Sequence, residues 1–183
     1  TRHGEGEGVF NTVDLCIEAA RAAFRALDRM TLAKRTEIIA AVRAAMLAQG
    51  DELARLAHRE TGLGRYEHKC IKNRLVTEKT PGCEILAPGT VTGDHGLTLT
   101  EWAPFGVIGA ITPTTNPTST IICNTIGMLA AGNSVVFNVH PGARDCSMAT
   151  VRALNRAITG VGGPANLVTA VAPPTIESPT EPK

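Results

Sequence analysis

The sequence predicts an α/β fold in which helices near its start cover a half-sheet of parallel strands. Three observations lead there. All 11 prolines and 12 of the 18 glycines follow residue 80, whereas 25 of the charged residues precede it. Before that seam the apolar residues recur at three- and four-residue steps, the period of amphipathic helices. After it they gather into short runs separated by turn residues and by further helical stripes.

The first 80 residues read as four helices. Asn11 or Thr12 can cap the first, in which Val13, Cys16/Ile17, Ala20, Phe24 and Leu27 form the stripe and Asp14 occupies the favourable first turn. Leu32, Arg35, Ile38/Ile39, Val42 and Met46 form a second stripe that runs to Gly50, a C-cap residue by type. Asp51 then caps a short third helix through Leu53, Leu56 and Ala57, ended by Gly62 and Gly64. The fourth spans Arg65 to about Lys79, carries Tyr66, Ile71 and Leu75, and stops at Thr80-Pro81-Gly82. Most other positions are charged, so these narrow stripes must coat a core supplied by other elements. Glu60, His58 and His68 read as solvated surface on such helices.

Residues 81–103 change period. Thr90 to Thr92, the turn Gly93-Asp94-His95-Gly96 and Leu97 to Trp102 form a β-hairpin with alternating polar and apolar residues. Residues 104–183 then alternate strand and helix. Gly106 to Ile111 suits a strand buried on both faces, and Asn116-Pro117 opens a helix carrying Ile121/Ile122, Thr125/Ile126 and Leu129 as far as Gly132. Ser134 to Phe137 is a second strand. After His140-Pro141 comes a helix with Ala149, Val151/Arg152, Leu154 and Ile158, and Asn166 to Val171 is the third strand. Strand, helix, strand, helix, strand with short links is a Rossmann-like βαβαβ unit, whose ligands sit beyond the carboxyl ends of the strands. Thr112 to Asn116 and Asn138 to Gly142 occupy that edge. The Gly-x-Gly-x-x-Gly fingerprint is missing from the first of these loops.

Composition narrows the function. With 18 basic against 17 acidic residues the net charge is +1, which argues against nucleic acid or an anionic membrane surface as the main partner. No apolar window approaches the length of a transmembrane helix, and no secretory leader is legible at Thr1-Arg2-His3-Gly4-Glu5. The five cysteines are odd in number, scattered and free of Cys-x-x-Cys, so reduced thiols and no metal site are expected.

Several ordered motifs resemble the aldehyde dehydrogenase superfamily, and within it the CoA-acylating branch typified by the propionaldehyde and acetaldehyde dehydrogenases of bacterial microcompartments. They are Glu60-Thr61-Gly62-Leu63-Gly64-Arg65, Glu78-Lys79-Thr80-Pro81-Gly82, the hairpin from Thr92 to Leu99, and the long stretches from Ala103 to Pro117 and from Ile121 to Phe137. The likeness runs from about Val9 to Glu177. It implies CoA-dependent oxidation of a short-chain aldehyde, propanal or ethanal, to acyl-CoA, with NAD as hydride acceptor and coenzyme A as co-substrate. A cysteine thiolate attacks the aldehyde in that reaction, because the acyl group must afterwards leave to another thiol.

Residue by residue, the resemblance makes Asn116 the oxyanion-hole asparagine, whereas its residue type and place alone favour a plain N-cap. It places Thr112, Pro113, Thr114 and Thr115 along the nicotinamide side of the cofactor, and His140 and Pro141 at the adenosine ribose. It places the turn Gly163-Pro164 near adenine. Taken by themselves these are an ordinary strand-to-helix turn, a loop histidine and a simple turn. The resemblance further implies a cytoplasmic homo-oligomer joined through the hairpin, with a microcompartment interior and its shell as an additional setting.

The likeness is incomplete. The resemblance implies that the nucleophilic cysteine lies in a domain beyond this chain, and Cys123 reads as a small buried hydrophobe within a helical stripe. Val139 replaces the proline usual before His140-Pro141, and Ser178 to Lys183 no longer follows the family. Residues 1–80 are thus expected to cover a cofactor domain whose first half is residues 104–183, and the chain alone is expected to be inactive. A second class stays open: a truncated, catalytically inactive homologue acting as a binding or assembly module.

Overall fold

A computed structural model describes residues 7–172; the expectations for Thr1 to Glu5, for Glu177 and for the tail from Ser178 to Lys183 lie outside the described residues. The helices are α1 (Val13–Asp28), α2 (Leu32–Thr61), α3 (Tyr66–Lys79), α4 (Pro117–Ala130) and α5 (Arg144–Gly160). The strands are β1 (Val9–Phe10), β2 (Gly89–Gly93), β3 (Gly96–Thr100), β4 (Val107–Thr112), β5 (Ser134–Val139) and β6 (Val168–Val171).

One sheet has the order β1-β6-β5-β4 with all neighbours parallel, and β2 and β3 form a separate antiparallel pair. The βαβαβ unit is therefore present. β1 was not foreseen, because two residues are too few to display a period. β4 is an edge strand of this sheet, which corrects the expectation that it is buried on both faces: Ile111 is 82% exposed. The strands buried on both faces are β5 and β6, at the sheet's interior.

Alternation along the strands sorts the core. Val135, Phe137, Val139, Val168 and Ala170 face α4 and α5, packing on Ile122, Ile126, Leu129, Leu154 and Ile158, and Ile38, Val42 and Met46 of α2 close the layer from outside. Each such fully buried Leu, Ile or Phe contributes about 1.5–3 kcal/mol. On the opposite face Cys16 and Ala20 of α1 pack on Val136 and Val171. Thr31 caps α2 as Thr12 caps α1, each hydroxyl accepting the N–H three residues on, from Lys34 and Leu15.

Two helical expectations need correction. α2 runs unbroken for 30 residues, so Gly50 is no C-cap and Asp51 opens no third helix. Gly50 is buried where α3 crosses, and its carbonyl accepts from Asn73 Nδ2 at 2.9 Å. The usual cost of a mid-helix glycine, about 1 kcal/mol, is set against that bond. Helix α2 ends instead at Gly62, whose φ of 65° is the left-handed cap conformation. In α3 the apolar stripe is inverted: Ile71 and Leu75 are exposed, and Lys69, Asn73 and Thr77 are buried. Two apolar residues are too few to orient a helix against a polar face whose groups all find hydrogen bonds.

Candidate active site at the carboxyl ends of the strands

Thr112 ends β4 and Pro117 begins α4, so four residues must turn the chain through the sheet's carboxyl edge. Proline disfavours helical backbone at the residue before it. Asn116 accordingly has φ −137° and ψ 54°, at the N-cap position. Its side chain nevertheless makes no capping bond. Its Oδ1 accepts from Lys72 Nζ at 2.8 Å, and its Nδ2 makes only a long contact, 3.4 Å, with Thr115 Oγ1. The cap expected from residue type is therefore not formed, and the amide N–H groups stay available for another acceptor.

One polar face of α3 explains why. Lys69, Lys72 and Asn73 lie at i, i+3 and i+4 and so share one face. Lys69 Nζ donates to the carbonyl of Thr115 at 3.1 Å, Lys72 holds the side chain of Asn116, and Asn73 Oδ1 accepts from Thr118 Oγ1 at 2.9 Å. One turn of helix thus grips three positions of the loop and the start of α4. Lys69 is only 6% exposed, and burial, then the neighbouring Lys72 charge, lowers its pKa from the ordinary lysine value. Reading α3 by its apolar residues missed all three; the signal was the spacing of its polar ones.

Beside Asn116 a groove of about 390 Å³ runs between α3 and α4, bordered by Lys72, Leu75, Asn116, Thr120, Cys123 and Asn124. Cys123 is half-buried there, its sulfur accepting from Thr80 Oγ1 at 3.4 Å. The other cysteines lie elsewhere. Cys16 and Cys146 are fully buried, and burial pushes their thiols up to about 11 and about 12, far from nucleophilic at neutral pH.

Thr112 is buried, and its Oγ1 has no hydrogen-bond partner. Pro113 and Thr115 are exposed and Thr114 is half-buried. The second expected loop lies next to the first. His140 follows β5, is exposed, and its Nδ1 accepts from Gly142 N–H at 3.1 Å. A neutral ring so bonded carries its proton on Nε2. Pro141 starts a short 3-10 turn through Ala143. Gly142 bridges the two loops: a Cβ there would lie 3.3 Å from His140 Nδ1 and 3.6 Å from Thr114 Cγ2.

Gly163 does not join this group. It precedes β6, at the amino end of the parallel strands and so at the opposite edge from Thr112 and His140. A Cβ at Gly163 would come within 2.6 Å of Ile158 Cγ2 and 3.0 Å of Ile38 Cδ1. Close packing accounts for this glycine, which corrects its expected place beside a ligand.

Glu60 is likewise more than surface. Its carboxylate accepts the backbone N–H groups of Asp145 and Cys146, each at 2.8 Å, and so occupies the amino end of α5. That end is closed to an external anion, whereas the amino end of α4 has Asn116 beside it and, among the described residues, no carboxylate bonded to it. Among the described residues no three His, Cys, Asp or Glu gather into a set that could hold a metal, and no helix is long and apolar enough to cross a membrane.

Residues 8–178 match the profile of the aldehyde dehydrogenase family. The acetylating acetaldehyde dehydrogenase of Bilophila wadsworthia is 49% identical over 170 residues, covering 93% of this chain and 35% of that relative. Among solved structures, the propionaldehyde dehydrogenase of Rhodopseudomonas palustris, with bound CoA and an acylated cysteine, superimposes with a TM-score of 0.90 at 52% identity. An engineered glycolyl-CoA reductase with bound NADP+ also reaches 0.90, at 50% identity. A propionaldehyde dehydrogenase from the fucose-utilisation microcompartment of Clostridium phytofermentans reaches 0.89, again at 50%. These superpositions cover 93%, 93% and 92% of this chain and 39% of each neighbour. The chain spans little more than a third of the length of the relatives it matches.

Proposed function

The chain belongs to the aldehyde dehydrogenase family, and from that membership we propose that the whole protein oxidises a short-chain aldehyde to its acyl-CoA with NAD+ as hydride acceptor. The observation that carries this reading is the Asn116 amide, withheld from capping and held at the open carboxyl edge of the sheet. A carbonyl attacked by a thiolate develops negative charge on oxygen, and a donor fixed at that oxygen lowers the barrier by about 3 kcal/mol. In this proposal Asn116 Nδ2 is that donor.

Thr112, Pro113, Thr114 and Thr115 on one loop and His140 and Pro141 on the other would hold NAD. The fit rests on two features: the loops adjoin through Gly142, and Thr112 Oγ1 is a buried hydroxyl still lacking a partner. When bound, NAD+ supplies the hydride acceptor. The chain's own residues bind and orient: α3 fixes the loop backbone at Thr115, and Asn116 presents its amide. The nucleophilic cysteine would come from the part of the family's length not covered here, a reading supported by the burial of Cys16 and Cys146. The thiolate would add to the aldehyde carbon, the hemithioacetal would give up its hydride to the bound acceptor to leave a cysteine thioester, and attack by the thiol of CoA would move the acyl group to CoA as the cysteine thiolate leaves. On this reading the described residues alone are inactive.

Propanal and ethanal both suit the reading, since the named relatives act on one or the other. The exposed apolar residues Val91, Leu97 and Leu99 on the hairpin support a role for it in joining copies of the chain. Residence in a microcompartment is supported by the neighbour from the Clostridium phytofermentans compartment. The test is an assay of the full-length protein with propanal or ethanal, NAD+ and CoA. Formation of NADH with a matching amount of acyl-CoA is expected; free acid in place of acyl-CoA, or no turnover, overturns the proposal. The alternative, an inactive assembly module, would show association without turnover.

A further inference from the structure

We propose that Lys72 is the positioning residue that sets which end of the Asn116 amide faces the reacting oxygen; this rests on the oxyanion reading of Asn116. A half-turn about the last side-chain bond of asparagine exchanges Oδ1 and Nδ2 with almost no change of shape. Only Nδ2 can stabilise an oxyanion, and Oδ1 in its place would repel one. The site therefore needs something that tells the two apart. A lysine ammonium has three donors and no acceptor, so its 2.8 Å contact selects Oδ1. A flipped amide would lose a charge-assisted hydrogen bond and set N–H against N–H.

The arrangement leaves Lys72 few other duties. Its side chain is exposed, and its ammonium enters no ion pair among the described residues. One turn earlier Lys69 holds the Thr115 carbonyl, so backbone and side chain of the loop are fixed from one helix face. The Lys72 charge also polarises the amide it holds, drawing electron density towards Oδ1 and strengthening Nδ2–H as a donor. Lys72 itself touches no reacting atom in this scheme and acts through Asn116.

The test compares full-length parent, Lys72→Met, Lys72→Arg, Asn116→Ala and the Lys72→Met/Asn116→Ala double variant in acyl-CoA formation. Lys72→Met is expected to lower kcat about tenfold and to leave KM for NAD+ within about twofold. Lys72→Arg should recover most of the loss, and the double variant should be no slower than Asn116→Ala. The rise in unfolding midpoint on adding NAD+ should be equal in parent and Lys72→Met. Should Lys72→Met fold poorly, Lys72→Gln takes its place. Parental kcat in Lys72→Met alongside a slow Asn116→Ala overturns this inference alone, as does an equal further loss in the double variant. Parental kcat in Asn116→Ala overturns the oxyanion reading and this inference with it.

Discussion

The Glu60 carboxylate at the end of α2 accepts the backbone N–H of Cys146 at 2.8 Å and, through its other oxygen, that of Asp145. The residue at the N-cap of α5 is Ala143, which has no side-chain acceptor, so a residue far away in sequence satisfies two of the helix's free amides. Removing that carboxylate with Glu60→Ala should cost about 1 kcal/mol, the usual worth of a cap plus its charge at a helix start. A lower urea midpoint at unchanged slope is the expected result. An unmoved midpoint would mean that water replaces the carboxylate without loss.

Burial of two thiols ties stability to alkaline pH. Burial raises Cys16 to about 11 and Cys146 to about 12 from an ordinary 9.0, in the second case with help from the Glu60 charge. A raised folded value means that the unfolded chain loses its proton first as pH rises. The stabilisation is complete below pH 9 and is lost as pH climbs through the folded values, so urea midpoints should fall between pH 9 and about 11 to 12. At neutral pH a thiol reagent should leave Cys16 and Cys146 unmodified until urea unfolds the chain. Rapid labelling of either in the folded protein would contradict their burial.

The strand and helix order after residue 104 was legible because the period changes there and because Pro117 marks a helix start. Three features were not, each for a physical reason. Gly50 reads as a stop by type, yet a tertiary contact with Asn73 keeps it helical. The face of α3 that matters is polar, so an apolar stripe misorients the helix and hides Lys69, Lys72 and Asn73. For Asn116, residue type suggests a cap, and only the position of Lys72 in space shows the amide held away from that duty. The residues of the candidate site were legible one loop at a time; what fixes Thr115 and Asn116 is a helix some 40 residues earlier in the chain, and what joins the two loops is the packing around Gly142.

Asn133 organises the start of β4 across the sheet's amino edge. It is 2% exposed, its Oδ1 accepts from Phe105 N–H at 2.7 Å and Gly106 N–H at 2.9 Å, and its Nδ2 donates to Met128 O at 3.2 Å. Asn133→Ala strands the amide donors of Phe105 and Gly106, while the Met128 carbonyl keeps the backbone N–H of residue 133 at 2.9 Å, and buried donors without partners cost about 1–3 kcal/mol. A fall in unfolding free energy within that range is expected from urea denaturation. A neutral result would require the chain before β4 to rearrange and find other acceptors, visible as changed amide exchange at Phe105 and Gly106.

Gly163 offers the sharpest separation between a packing role and a ligand role. Its Cα faces Ile158 and Ile38, and an added Cβ would stand 2.6 Å from Ile158 Cγ2 and 2.8 Å from the Ile158 carbonyl oxygen. The side-chain atom can shift, but the carbonyl belongs to the last turns of α5 and already accepts the N–H of Gly163 at 2.9 Å. Gly163→Ala therefore forces the α5 to β6 turn away from α2, and overpacking of this kind costs about 1–3 kcal/mol. Because the residue lies at the opposite edge of the sheet from Thr112 and His140, the proposed activity of the full-length protein should keep its KM for NAD+ at the parental value. A raised KM with parental stability would restore a ligand role to this turn and count against the packing account.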